Sequence, residues 1–309
     1  MGSYFQMKQL STRPAVFSFL LALLFVAGAL VGLPEEAEAQ QSGDRRTQFR
    51  LIVENPDDAL EGEIRVRRHR EMAQMAAERV EKRLATIGVG DYRVRVLPSN
   101  DLEVQVFGRH RAETIKSAVI PPGQMDIRPV LVDDTPWMDL EELLPDDIEL
   151  RAEPGSFQTD RLYLYSPNAS SLHSFLGRVS LGAKEIYIFP HRDGWRTLAL
   201  GESLATERAV EGVSMHRTPS AIPFVRVQLN EEAVDEIRTG ARREDARHLA
   251  ILLDGEIVSL VRFGERHFSS ELTLEVPEYL RTSDARNGWA MQVAGRLAAP
   301  IPIILAEAE

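Results

Sequence analysis

The stretch Leu249-Ala250-Ile251-Leu252-Leu253-Asp254-Gly255-Glu256-Ile257-Val258-Ser259 constrains the fold more than any other part of this sequence. Two apolar runs flank the two-residue turn Asp254-Gly255, the pattern of a β-hairpin closed by a type I′ turn. Such a turn needs positive φ at both central residues, which Asp tolerates and Gly adopts freely. On its own the hairpin specifies a strand pair and no activity.

With 309 residues the chain has room for about two domains. Its 44% hydrophobic and 27% charged content is that of a globular protein, and the modest aromatic content predicts cores of Val, Ile, Leu and Ala. The net charge of −11 argues against a nucleic-acid partner. There is no cysteine, which removes disulfides, thiol catalysis, cysteine-ligated metals and a lipid-bearing cysteine together. At the N-terminus, Lys8 and Arg13 precede an apolar run from Ala15 to Leu33, then Pro34 and Ala37-Glu38-Ala39. That order is a secretory signal cleaved after Ala39. The run is also long enough to span a bilayer, so an uncleaved anchor over residues 15–33 is the alternative. Either way, everything after Gln40 is expected to be exported, in a periplasmic or extracytoplasmic location.

Beyond this segment the pattern divides the chain. Phe49 to Val53 suits a strand. Met72, Ala76, Val80, Leu84 and Ile87 recur at helical spacing, and Gly88 stands where a helix C-cap belongs. Tyr92, Val94 and Val96, then Leu102, Val104 and Val106, alternate with polar residues as a hairpin with one wet face. A short helix over 111–119 and a strand over 125–132 complete a strand-helix-strand-strand-helix-strand order. Residues 44–132 are therefore expected to form a ferredoxin-like, split βαβ base unit. Residues 133–221 are expected to be a linker and variable insert: acidic, broken by Pro136, Pro145 and Pro154, with strands near 162–165 and 185–189. From 222 to 300 a second α+β unit follows. Val225, Val227 and Leu229 alternate, Asn230 caps a helix, the hairpin comes next, and Ser283 caps a helix containing Trp289, Val293 and Leu297. Residues 301–309 form a closing strand and tail. The fold class is α+β, with antiparallel sheets covered by helices on one face.

Three segments carry a resemblance. Arg83-Leu84-Ala85-Thr86-Ile87-Gly88-Val89 sits on the first helix, Leu253-Asp254-Gly255-Glu256-Ile257-Val258-Ser259 on the hairpin, and Ala294-Gly295-Arg296-Leu297-Ala298-Ala299-Pro300 near the end. In that order they resemble the extracytoplasmic base-plus-head region of SecD, the membrane subunit that assists protein export. The resemblance covers about residues 49–132 and 222–305. There are departures: the family's D-L-x-G-G motif is absent, and Phe268-Ser269-Ser270-Glu271-Leu272 lacks the glycines of the corresponding strand. Family members enter a bundle of further membrane helices where this sequence ends, at Glu309. The resemblance thus implies an accessory, not a complete proton-driven motor.

It further implies a head that contacts emerging polypeptide and swings relative to its base. The expected partners are unfolded or emerging polypeptide and membrane translocase subunits, with membrane contact only through residues 15–33. Phe263 and Phe268, flanking the connection after the hairpin, are candidate polypeptide contacts, with ordinary core packing as their other reading. Pro223 and Pro300 bracket the head-like unit as candidate hinges. The alternative is a repurposed extracytoplasmic scaffold or interaction module that kept the fold without the export role.

No pattern argues for an enzyme or a cofactor. Gly88-Val89-Gly90 follows a helix instead of opening one, which suits a C-cap and not a phosphate loop. The basic run Arg65 to Arg70 reads as a solvated helix start. Asp133, Asp134, Asp139, Glu141, Glu142, Asp146 and Asp147 lack the spacing of a calcium loop. The seven histidines include no H-E-x-x-H pair. Gly212-Val213-Ser214-Met215-His216 departs from the G-x-S-x-G of a nucleophile elbow.

Overall fold

Alternating side chains build the first sheet. In the computed structural model, which describes residues 46–54, 62–131, 140–153, 161–179, 185–191, 194–264 and 268–308, strands are numbered along the chain. The leader, the cleavage site at Ala39 and the linker residues 133–139 lie outside the described residues. Strands β1 (Arg46–Val53), β2 (Tyr92–Val96), β3 (Leu102–Phe107) and β15 (Leu305–Glu307) form an antiparallel sheet in the order β15-β1-β3-β2. Phe49, Leu51, Val53, Leu102, Val104 and Val106 point to one side, where helices α1 (Gly62–Thr86) and α2 (Ala112–Val119) bury them. The opposite face carries Arg50, Arg93, Arg95 and Glu103, so the helices cover one face only.

The strand at Met125–Pro129 does not complete this sheet, contrary to the sequence expectation. This strand, β4, pairs instead with β12 (His248–Leu253) and β9 (Ala205–Thr206) in a second sheet, of order β13-β12-β4-β9, where β13 is Glu256–Arg262. The fourth position of the first sheet is filled by β15, from the other end of the fold. The reason is local: Pro121-Pro122-Gly123, with Gly123 at φ +79°, turns the chain away after α2. Alternation at 125–129 fits a place in either sheet, so periodicity could not choose between them.

A three-stranded sheet, β10 (Val210–Arg217), β11 (Pro223–Leu229) and β14 (Glu271–Glu275), lies across the same core. Helices α4 (Glu231–Arg243) and α5 (Ser283–Ala298) bury Val234, Ile237, Val293 and Leu297 there. Asn230 caps α4 as expected, its side chain accepting from Ala233 N at 2.8 Å. Thr282, one residue before the expected Ser283, caps α5 by accepting from Ala285 N at 3.1 Å.

The fourth sheet arises from the insert, in the order β5-β6-β8-β7: β5 (Glu149–Glu153), β6 (Arg161–Ser166), β7 (Glu185–His191) and β8 (Gly194–Leu200), covered by α3 (Ala169–Leu176). Part of the expected linker is thus a strand. β12 explains the long apolar run of the hairpin. Leu249, Ile251 and Leu253 enter the core of α4 and α5, while Ala250 and Leu252 pack on Val130, Leu198 and Leu200 beside the insert sheet. A strand buried on both faces has no polar alternation to show. The described residues thus form an α+β protein of four antiparallel sheets and five α-helices. None of these helices is long and apolar enough to cross a membrane.

Candidate functional site

The three segments that carry the sequence resemblance meet at one junction. Arg83 lies in the last turn of α1 on the apolar stripe of Val80, Leu84 and Ile87, and it is 0% exposed. Its guanidinium donates from Nε to the Ala299 carbonyl at 2.8 Å and from Nη2 to the Pro122 carbonyl at 2.7 Å. Nη1 reaches the carbonyls of Pro121 at 2.5 Å, Val119 at 3.0 Å and Ala118 at 3.4 Å. These acceptors belong to the two places where the chain passes between the first sheet and the rest of the fold. It leaves at 118–123 and returns at 299–301. Ile301 N donates to the Pro122 carbonyl at 2.7 Å, so the two crossings also bond to each other.

Burying a cation away from water is costly, and the five carbonyl acceptors offset that cost. Burial lowers the Arg83 pKa to about 9; the Asp254 carboxylate acts the other way, and the charges of Arg296 and Arg79 add to the depression. Arg83 therefore stays a cation at neutral pH.

Asp254 and Gly255 form the expected turn, with φ of +53° and +82°. The Asp254 carboxylate accepts from Gln124 N at 2.7 Å and from Arg296 Nε at 2.9 Å, with Arg296 Nη2 closing a second bond. Asp254 N donates back to the Gln124 carbonyl at 2.8 Å. The hairpin tip, the outgoing crossing and α5 are thereby tied together. Close approach is needed as well. A Cβ on Gly123 would lie 2.3 Å from the Arg296 carbonyl oxygen and 2.8 Å from Arg83 Nη2. A Cβ on Gly295 would lie 3.1 Å from Ile87 Cγ2 and 3.2 Å from Ala118 Cβ.

A second feature is a cleft of about 1070 Å³ between the insert sheet, the hairpin and α5. Ile186 and Ile188 of β7, Trp195 of β8, Ile257 of β13 and Trp289 of α5 line it. The insert sheet joins the body through a narrow stalk. Val130 bridges Leu200, Leu131 N donates to the Ala199 carbonyl at 2.9 Å, and Gly201 N donates to the Pro129 carbonyl at 3.0 Å. Across this boundary Arg128 pairs with Glu185 and lies 5.9 Å from the Tyr187 ring centroid.

The expected contact residues are brought together: the Phe263 and Phe268 ring centroids are 5.3 Å apart, tilted by 54°. Phe268 is 8% exposed within the main core, and Phe263 packs partly buried against the same core. Pro223 opens β11 opposite Arg217. Pro300 lies in the return crossing, beside the Ala299 carbonyl that Arg83 holds. Sequence reasoning named Arg83 and Arg296 only as parts of motifs. The available signal was an arginine on the apolar stripe of α1, between the buried Val80, Leu84 and Ile87. Among the described residues, no group of three or more His, Asp or Glu is placed to hold a metal ion.

No protein-family model matches the chain, and no curated protein matches it. Among solved structures it is similar to SecDF in its super-membrane-facing form, with a TM-score of 0.48 and 14% identity over 85% of this chain and 29% of that one. A structure of the membrane component SecDF that enhances protein export aligns with a TM-score of 0.43 and 13% identity, over 85% of this chain and 98% of that one. The crystal structure of SecDF, a translocon-associated membrane protein from Thermus thermophilus, aligns with a TM-score of 0.33 and 15% identity, over 84% and 30%. The chain thus spans less than a third of the first and third of these, and nearly all of the second.

Proposed function

We propose that this chain is a non-catalytic, extracytoplasmic accessory to protein translocation that binds emerging or unfolded polypeptide beside a membrane translocase. The observation that carries the reading is the junction. Three segments that resemble SecD, far apart in sequence, meet in one joint through Arg83, the Asp254-Gly255 turn, and Arg296 with Ala299, although Arg296 stands where the family pattern has alanine. Chance likenesses scattered along a chain have no reason to converge on shared hydrogen bonds. The cleft beside the insert sheet mixes the apolar and aromatic Ile186, Ile188, Trp195, Ile257 and Trp289 with polar groups such as Arg111, Glu256 and Gln292, a lining that suits an extended polypeptide carrying both kinds of side chain. Its walls belong to two bodies joined by the stalk at 129–131 and 199–201, so it is also the place where the insert sheet can swing against the unit at 222–300. Residues 15–33, if retained, tether the protein to the inner membrane on its exported side; Phe263 remains available as a peripheral contact.

The test is a photo-crosslinking map in the native cell, with the reactive group at the exposed Arg262 on β13. Adducts to many exported chains together with a translocase subunit are the expected result. A single discrete partner, or none, overturns the accessory role and leaves the repurposed scaffold.

A further inference from the structure

The two edges of the insert sheet are finished differently. At one edge, β5 places Glu149 and Arg151 along its length, the charged residues with which proteins discourage strand pairing. At the other edge, β7 presents Ile186-Tyr187-Ile188-Phe189, with half-buried residues from 186 to 191. The consecutive residues Ile186, Tyr187 and Ile188 all line the cleft, so the cleft runs along the strand's edge and not only one of its faces.

The direction of the backbone groups follows from the ladder. β7 and β8 are antiparallel, with Ile186 opposite Ala199, Ile188 opposite Thr197 and Pro190 opposite Trp195. The Ala199 carbonyl is bonded to Leu131 N at 2.9 Å, on the side away from β7. Ile186–Ala199 is therefore a non-hydrogen-bonded pair, and by alternation so are the pairs of Ile188 and Pro190. Pro190 fits this assignment, since a residue without an N–H belongs where the ladder needs none. The N–H and C=O groups of Ile186 and Ile188 consequently point outward along the cleft.

We infer that the cleft takes its polypeptide as an added β-strand on β7. The guest pairs with the outward amides of Ile186 and Ile188 and seats alternate side chains against Trp195 and Ile257. This rests on the polypeptide-binding reading and names its mode. The ligand class is an extended segment with free backbone amides, and main-chain pairing makes it tolerant of sequence.

The test uses the exported chain and a fluorescent ten-residue peptide of alternating valine and threonine, followed by anisotropy and by amide hydrogen exchange at saturation. Exchange at Ile186 and Ile188 is expected to slow by about tenfold or more, while Tyr187 and Phe189, already bonded to β8, change little. Ile188→Pro removes one outward donor without touching the β8 ladder and is expected to weaken binding about tenfold, whereas Ile188→Val leaves it within about twofold. Peptide binding with unchanged exchange at Ile186 and Ile188 overturns strand addition and leaves polypeptide binding in place. Absence of peptide binding also overturns strand addition, and crosslinking from Arg262 then decides the broader reading separately.

Discussion

A guanidinium offers five N–H donors in a rigid fork, and Arg83 directs its fork at carbonyls from both chain crossings. Lysine keeps the charge but not the fork; methionine keeps the volume but neither charge nor donors. Arg83→Met is expected to lower stability by about 3–5 kcal/mol, because it leaves buried carbonyls unpaired. Arg83→Lys should recover part of that loss. Urea unfolding midpoints decide this; equal midpoints for the two variants would show that the fork does not matter. Asp101 gives a pH-dependent counterpart. Burial acts to raise its pKa, but hydrogen bonds from Arg50 and Ser99, the Arg50 charge and a bond from the Val53 backbone outweigh it and hold the carboxyl below its ordinary value. Since the pKa is lowered on folding, the stabilisation is complete above the ordinary carboxylate range and disappears as pH falls through the native value. The stability advantage of wild type over Asp101→Asn is thus expected at pH 7 and should shrink below about pH 4, as followed by urea titrations across that range.

Elements differ in how much of their placement is written locally. The Asp254-Gly255 hairpin, the β2–β3 hairpin and the apolar stripe of α1 were legible because turn chemistry and periodicity act over a few residues. β10 was not: its burial follows no period of two, and a register shift between Val210 and Gly212 interrupts its pairing with β11. The partner of β4 was equally hidden, since Met125, Ile127 and Pro129 offer the same apolar face to any neighbouring strand. At the site, the turn residues were found and their purpose was not, because the Arg296 and Gln124 contacts exist only in three dimensions. Two glycines separate the local from the tertiary requirement. Gly255→Ala meets only an unfavourable φ, with open space around the new methyl, and should cost about 1–2 kcal/mol. Gly123→Ala adds a clash with the Arg296 backbone to a similar φ and should cost clearly more. Thermal unfolding of the two variants gives the order, and the reverse order would remove Gly123 from the joint.

On the scale of the whole molecule, two connections of different character divide the protein. The crossings at 118–123 and 299–301 are clamped by a buried side chain and by each other. Among the described residues, the stalk at 129–131 and 199–201 is held by one bridge, two backbone bonds, a small apolar cluster and the partly exposed Arg128–Glu185 pair. Motion between bodies should therefore occur at the stalk, with the first sheet and the α5 core moving together. Hydrogen exchange separates these cases: the Ile301 amide is expected to exchange only on global unfolding, and those of Leu131 and Gly201 through smaller openings. Similar protection at all three would place the flexible point elsewhere.

The seating of β15 has a consequence for the order in which the molecule can be made. On the outer edge of β1, Leu51, Ile52 and Val53 pair with Glu307, Ala306 and Leu305. A chain delivered N-terminus first exposes β1 early, yet its outer edge stays unsealed until residues 305–307 follow. Closing a loop of that length makes the first sheet a late and slow event in folding. Until then β1 is an open strand in a half-built sheet, exposed to wrong pairing. β15 therefore acts as the latch on a sheet whose strand β1 is made about 250 residues earlier.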